Sequence, residues 1–313
     1  MSNLVNDADP SSSLDCPIVD GKHQVQHVAP RTADVGGIPV NRVLPSRHRR
    51  LIGAWCFLDH AGPAVFKGDS RGLRVGPHPH IGLQTFTWMI AGEVLHRDSL
   101  GNEQVIRPGQ VNLMTAGRGI SHTEESVPGE THLHAAQLWI ALPEAQRRTD
   151  PRFDHYPQLP HWRDGALELT LLIGEFAGHR AATLAFSPLV GLDLLATSAG
   201  SLTLPLREDF EYGLLPLDGE LIIEGERFVA NELAYLGRGR SQVALELPEG
   251  GRAILVGGEP LGEEILIWWN FVGHSKAEII EAQNDWEASS ERFGSIPQFQ
   301  GERLMPPPLP WRA

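Results

Sequence analysis

Cysteine is scarce in this chain: only Cys16 and Cys56 occur among 313 residues, and neither belongs to a CxxC pair. That excludes the disulfide framework of a small secreted module and fits a reducing compartment. Basic charge is also short, with 26 Lys and Arg against 39 Asp and Glu and a net charge of −13. Phosphate backbones are held mainly by Lys and Arg, so direct nucleic-acid binding is not expected. The one basic run, Arg47-His48-Arg49-Arg50, reads as a solvated loop. No run of about 18 apolar residues occurs, and the opening MSNLVNDADPSSSLDC has neither a basic start nor an apolar core. A cytoplasmic protein without membrane contact is therefore expected. Absent as well are GxxxxGK[ST], GxSxG and a second Cys/His cluster, which removes nucleotide hydrolysis, serine hydrolase chemistry and structural zinc. Helical periodicity is scarce, and its best candidate, Ser275 to Arg292 with Ile279, Ile280 and Trp286, predicts one peripheral amphipathic helix.

Glycine (33) and proline (24) are plentiful, and between them lie short apolar and β-branched runs such as Leu83-Gln84-Thr85-Phe86-Thr87-Trp88-Met89-Ile90. Many short strands with frequent turns predict an all-β sandwich or barrel. The length suits two domains, and an internal echo supports that number. Met89 to Val94 followed by Arg107 to Met114 recurs as Pro216 to Leu221 followed by Val229 to Leu236, each copy trailed by Gly-Arg-Gly. Repetition on this scale argues for a duplicated β-unit. The expected organisation is a first barrel over 1–142, a linker region over 143–164 that lacks strand alternation and contains Pro151, Pro157 and Pro160, a second barrel over 165–290 and a proline-rich tail over 291–313. The tail is expected either free or packed along a domain.

Ten of the fourteen histidines precede residue 140, and the second repeat, from about Ala181 to Asn270, has none. His78-Pro79-His80 sets two imidazoles at i and i+2, on one face of a strand, and His122-Thr123-Glu124 does the same with an imidazole and a carboxylate. With 14 histidines, about 0.6 HxH pairs arise by chance, and His132-Leu133-His134 is another. Context favours the first pair: HxH opens the first strand of its repeat and HxE follows the third, ends that can meet across a barrel mouth. The histidine-free copy acts as an internal control, since the scaffold does not need these side chains to fold. Three imidazoles and a carboxylate suit a first-row divalent metal with open coordination positions, which leaves Fe, Mn, Ni, Cu and Zn open. His96, Arg97 and Asp98 read as a solvated turn rather than an acid/base cluster. Trp55, Phe57 and Leu58 read as core, His60 receives no role, and Trp268 and Trp269 read as a buried strand rather than a stacking platform.

The run Gly76-Pro-His-Pro-His-Ile-Gly-Leu-Gln-Thr85, the run from Pro108-Gly109 through Met114-Thr-Ala-Gly-Arg-Gly-Ile-Ser-His122-Thr-Glu124, and Gln137-Leu138-Trp139 resemble, in order and spacing, the pirins of the cupin superfamily. The resemblance is specific over residues 35–142 and weaker in the second half, where Gly257-Gly258-Glu259-Pro260 carries it. It implies two tandem cupin-type β-barrels, a non-haem iron(II) held by His78, His80, His122 and Glu124, and His134 near the site without ligation. Pirins commonly carry Arg and Glu where this chain has Ile81 and Gln84, which implies a less charged pocket rim. Gln84 also falls where many cupins carry a ligating glutamate, which leaves Glu124 as the carboxylate, with Glu125 on the opposite face. The first functional expectation is a dioxygenase of the quercetin 2,3-dioxygenase type, acting on a flavonol or related hydroxylated aromatic with Glu124 as ligand and proton acceptor. The alternatives are an iron-dependent redox sensor that binds a transcription factor or metabolic enzyme, and a cupin that keeps its metal only for stability. A monomer is expected.

Overall fold

The computed structural model describes residues 18–66 and 72–311. Cys16, the opening segment and the last two residues of the proline-rich tail lie outside that range. The fold is all-β with one α-helix among the described residues, and its two halves repeat one plan. In the first, seven antiparallel strands run in the order Arg152–Tyr156, Val111–Thr115, Leu83–Ala91, His132–Ala141, Trp55–Val65, Ile38–Leu44 and Arg31–Val35. A second sheet in that half has four, in the order Glu103–Ile106, Val94–Asp98, Ile120–Ser126 and Arg74–His80. The second half has seven strands, His161–Asp164, Leu167–Ile173, Leu189–Ala196, Arg252–Gly258, Glu211–Asp218, Leu233–Gly237 and Gln26–Val28, and a sheet of four.

Three of these edge strands cross the expected organisation. Gln26–Val28, from the start of the chain, pairs with Leu233–Gly237 of the second half. The 143–164 stretch, expected to lack strands, supplies Arg152–Tyr156 to the first half and His161–Asp164 to the second. The prolines explain why alternation is hard to read there. Pro151, Pro157 and Pro160 fall just outside the strand ends, where their missing N–H costs the ladder nothing.

Strand alternation partitions the side chains. From Leu83–Ala91 and His132–Ala141, the even positions Phe86, Trp88, Ala136, Leu138 and Ile140 pack against Leu172, Leu189, Leu215, Tyr235, Ile254 and Val256 of the second half in one shared core. The Trp55 indole N–H donates to the Gly257 carbonyl at 3.1 Å, and that of Trp88 to Asp193 Oδ1 at 3.1 Å. Inside the second barrel, leucines and aromatics such as Leu169, Leu194, Leu214 and Phe228 fill the space. The odd positions of the same two first-half strands, among them Thr87, Met89, Ala135, Gln137 and Trp139, instead line a cavity of about 290 Å³.

The expected helix forms over Lys276–Glu287, with Ser275 capping the Glu278 N–H and Ile279, Ala282 and Trp286 buried on one face. The Trp286 indole donates to the Leu304 carbonyl, and the Leu304 N–H to the Pro77 carbonyl, both at 2.9 Å, so the chain beyond the helix is tied back onto the first barrel. Gly76 makes room for this crossing: a Cβ there would sit 2.7 Å from the Glu302 carbonyl oxygen.

Candidate metal centre

Arg74–His80 is the edge strand of the four-stranded sheet and pairs only with Ile120–Ser126. An edge tolerates Pro77 and Pro79, which donate no hydrogen bond. His78 stands directly opposite His122 and His80 opposite Ile120, then the register shifts so that Glu124 faces Val75. The extra residue falls at Gly76-Pro77, a bulge that uses the residue with no N–H to leave unpaired.

The pairing brings three imidazoles together. Their ring centroids are 4.3 Å (His78 and His122), 5.0 Å (His80 and His122) and 5.1 Å (His78 and His80) apart. One nitrogen from each lies within 4.8 Å of the others, and all three side chains are buried. The outer nitrogens fix the tautomers. His78 Nδ1 is 2.8 Å from the Gly76 carbonyl and His80 Nδ1 is 3.0 Å from the Asn270 carbonyl. A carbonyl only accepts, so each Nδ1 carries the proton and each Nε2 presents a lone pair. His80 Nε2 and His122 Nε2 lie 3.1 Å apart, close enough to share one ligand. Burial holds the His78 pKa down at about 4, with the Gly76 carbonyl opposing and a nearby His96 adding to it, and places His80 and His122 well below the ordinary value. Neutral imidazoles are what a metal requires.

Behind His122 stands a buried relay that the sequence reading takes for a solvated turn. His96 Nδ1 is 3.3 Å from His122 Nδ1, and His96 Nε2 is 3.3 Å from Asp98 Oδ2. His96 and Asp98 are 3 % and 2 % exposed on the strand Val94–Asp98, and His96 stacks on Phe153 at 4.3 Å. Burial pushes the Asp98 carboxyl up, and the hydrogen bonds from His96 and Asn102 outweigh it, leaving the pKa below its ordinary value. A carboxylate–histidine pair of this kind orients a ligating imidazole and raises its basicity.

Glu124 lines the same cavity as the three histidines. Its carboxyl has no hydrogen-bond or ion-pair partner among the described residues, and burial pushes its pKa up to about 7. Glu125 takes the opposite direction, as expected, accepting from Arg97 Nη1 at 2.8 Å. The group whose ligand atoms lie within 4.8 Å of one another holds the three histidines and not Glu124, which shares only their cavity, and three neutral imidazole nitrogens fit a first-row divalent metal.

Several expected neighbours lie elsewhere. His134 faces away from the cavity, with its Nε2 2.7 Å from His60 Nε2, and His60 in turn meets Asn231 of the second half at 2.6 Å. Gln84 is not at the rim. It is fully buried on the even face of its strand, where its Nε2 donates to Thr115 Oγ1 at 3.0 Å and to the Leu184 carbonyl. Ile81 packs with Trp268 and Phe271. The side-chain parity of a strand decides each case, so neither Ile81 nor Gln84 sets the polarity of the cavity. Trp268 is buried as expected, while Trp269 and Asn270, at the turn between Leu266–Trp268 and Phe271–Gly273, line the first barrel's cavity.

Two tandem barrels, one filled and one holding a histidine triad able to take a metal, define a bicupin. The Pirin family model matches residues 37–140, and the model of the pirin C-terminal cupin domain matches residues 191–294. The chain belongs to the pirin family. A Pseudomonas aeruginosa protein provisionally named a quercetin 2,3-dioxygenase is 59 % identical over 313 residues, covering 100 % of this chain and 99 % of that protein. A pirin-like protein of Caulobacter vibrioides is 37 % identical, over 85 % of this chain and 94 % of its own. Among solved structures, a quercetin 2,3-dioxygenase from Acinetobacter baumannii superposes with a TM-score of 0.90 at 49 % identity, covering 92 % of this chain and 97 % of that one. No helix among the described residues is long and apolar enough to cross a membrane.

Proposed function

We propose that His78, His80, His122 and Glu124 hold one divalent metal, iron(II) ahead of Mn, Ni, Cu or Zn, and that the protein is a dioxygenase of the quercetin 2,3-dioxygenase type acting on a flavonol or related hydroxylated aromatic. The observation that carries this reading is the convergence of three neutral imidazoles, with ligand atoms within 4.8 Å of one another, on the wall of a cavity of about 290 Å³ that Glu124 also lines. A bound metal would supply Lewis acidity toward an ionised substrate hydroxyl and a place for dioxygen. Glu124, poised at about 7, is suited to accept the proton of that hydroxyl. Phe57 and Trp139, stacked at 4.0 Å on the cavity wall, offer a flat apolar face to an aromatic ring, and Trp139 meets the His80 ring at 5.2 Å. The names of the relatives agree with this reading. A cavity of about 290 Å³ beside the triad also favours a small-molecule enzyme over a redox sensor, which needs no such space.

The test is elemental analysis of anaerobically purified wild type and His78→Ala, followed by quercetin consumption and carbon monoxide release on the same samples. One iron per chain that vanishes in the variant together with turnover is the expected result. A fully metallated protein that leaves flavonols intact overturns the enzymatic reading, and no metal in either sample overturns the site.

A further inference from the structure

Facing the histidines, the inner side of the seven-stranded sheet carries a row of polar residues that the proposed chemistry does not use. Arg42 pairs in register with Asp59, Asp59 with Gln137, and Gln137 with Thr87, so the four side chains form one line across four strands. Apolar rows flank it. Phe57 and Trp139 lie on the side that touches His80, and Val40, Ala61, Ala135 and Met89 lie on the other. All four polar residues line the cavity.

Their internal bonding leaves functional groups over. Arg42 Nε and Nη2 grip Asp59 at 2.7 and 2.6 Å, and the Thr87 hydroxyl donates to Gln137 Oε1 at 2.7 Å. Nη1 of Arg42 and the amide nitrogen of Gln137 have no protein partner among the described residues, while Asp59 keeps free lone pairs. Burying an ion pair in a barrel is costly, and a barrel that only needed filling would use leucines, as the second one does. The charge balance limits what the row can bind. On the lining its one guanidinium is matched by Asp59, with Glu124 and Asp34 as further acids, while Arg31, the next residue in register beyond Arg42, acts on the pair electrostatically from outside the lining. A carboxylate ligand would find no unmatched cation on the lining itself, whereas a neutral hydroxyl can accept from Arg42 or Gln137 and donate to Asp59.

Resting on the dioxygenase reading, we infer that Arg42, Asp59, Gln137 and Thr87 form a specificity strip for the distal hydroxyl groups of the substrate, so that the cavity selects polyhydroxylated aromatics over both the unsubstituted ring system and carboxylated analogues. The scale agrees. Residues two apart on a strand are roughly 7 Å apart, so a ring system anchored near His80 and lying over Trp139 reaches the next row, where Gln137 stands.

The test measures binding to metal-loaded protein without oxygen, by quenching of tryptophan fluorescence, with three probes: quercetin, the parent flavonol without further hydroxyls, and a carboxylated flavone. The proteins are wild type, Gln137→Met, Thr87→Val and Asp59→Asn. Wild type is expected to bind quercetin at least about tenfold more tightly than the parent, on the order of one well-made hydrogen bond to a charged or buried group. Gln137→Met and Thr87→Val erase that ratio while leaving the parent's affinity and the metal content in place. Asp59→Asn frees Arg42 and raises affinity for the carboxylated probe; should it fail to fold, the two volume-conserving variants decide alone. Equal binding of quercetin and the parent by wild type, or equal losses for both probes in the variants, overturns the strip and leaves the dioxygenase reading standing. Metallated wild type that binds neither flavonol removes both.

Discussion

A carboxyl set among protein groups without a hydrogen-bond donor is easier to protonate than one in water, and Glu124, half-buried and pushed up to about 7, is in that position. Its folded pKa lies above the unfolded value, so in metal-free protein its favourable contribution is complete below about 4.5 and is lost as the pH rises through about 7. Metal-free Glu124→Gln should therefore match metal-free wild type at pH 5 and exceed it at pH 8 by on the order of 2 kcal/mol in denaturant titrations. With metal added, the order should reverse, because the amide is a poor ligand. Equal stabilities at pH 8 would mean that the carboxyl is better solvated than its surroundings indicate. His96 allows a second test at this scale. Replacing it with Phe removes the partner of His122 Nδ1, and metal affinity should fall about 10- to 100-fold in competition with a chromogenic chelator. Unchanged affinity would reduce His96 to packing against Phe153.

At the level of strands, the i, i+2 spacing of HxH and HxE is legible because a strand maps that spacing onto one face. Cross-strand relations are not legible in the same way. His96 approaches His122 only because Val94–Asp98 pairs with Ile120–Ser126, and a lone histidine after a glycine turn carries no sign of that partner. Asp59, Gln137 and Thr87 are hidden for the same reason, being ordinary residues of three separate strands until register aligns them. Family likeness puts His134 near the site, but one position of parity turns it toward His60 instead. The turns were easier to locate, and Gly82 shows why one of them needs glycine. Its φ is +66°, and a Cβ would lie 2.1 Å from the Val272 carbonyl oxygen. Gly82→Ala should cost about 2 kcal/mol or more in denaturant unfolding, since left-handed backbone alone costs roughly 1–2. It should also loosen metal binding, because the displaced segment adjoins Asn270, which orients His80. A loss below 0.5 kcal/mol would show that the turn relaxes.

For the molecule as a whole, the decisive fact is that the two large sheets share one core. A chain ending at Tyr156 would retain both sheets of the first half yet expose Trp55, Phe86, Trp88 and Leu138, which now pack on the second. Such a fragment should elute as an aggregate and melt without a cooperative transition, whereas the full chain should unfold in one step. A monomeric fragment with a sharp melt would show that the halves are autonomous. The duplication was legible in the repeated Gly-turn pattern, but the exchange of edge strands was not, because Gln26–Val28 is three residues long and pairs about 200 positions away.

Asn270, Trp269 and Leu304 give the duplication a history. The second copy fills its own interior and has no histidine from about Ala181 to Asn270, yet its turn braces His80 of the first copy and the chain beyond it lines the neighbouring cavity. Divergence between relatives in what they accept can then accumulate in the copy that holds no metal, through substitutions that never touch the imidazoles. The half without the triad would then be the half through which the cavity's preference changes.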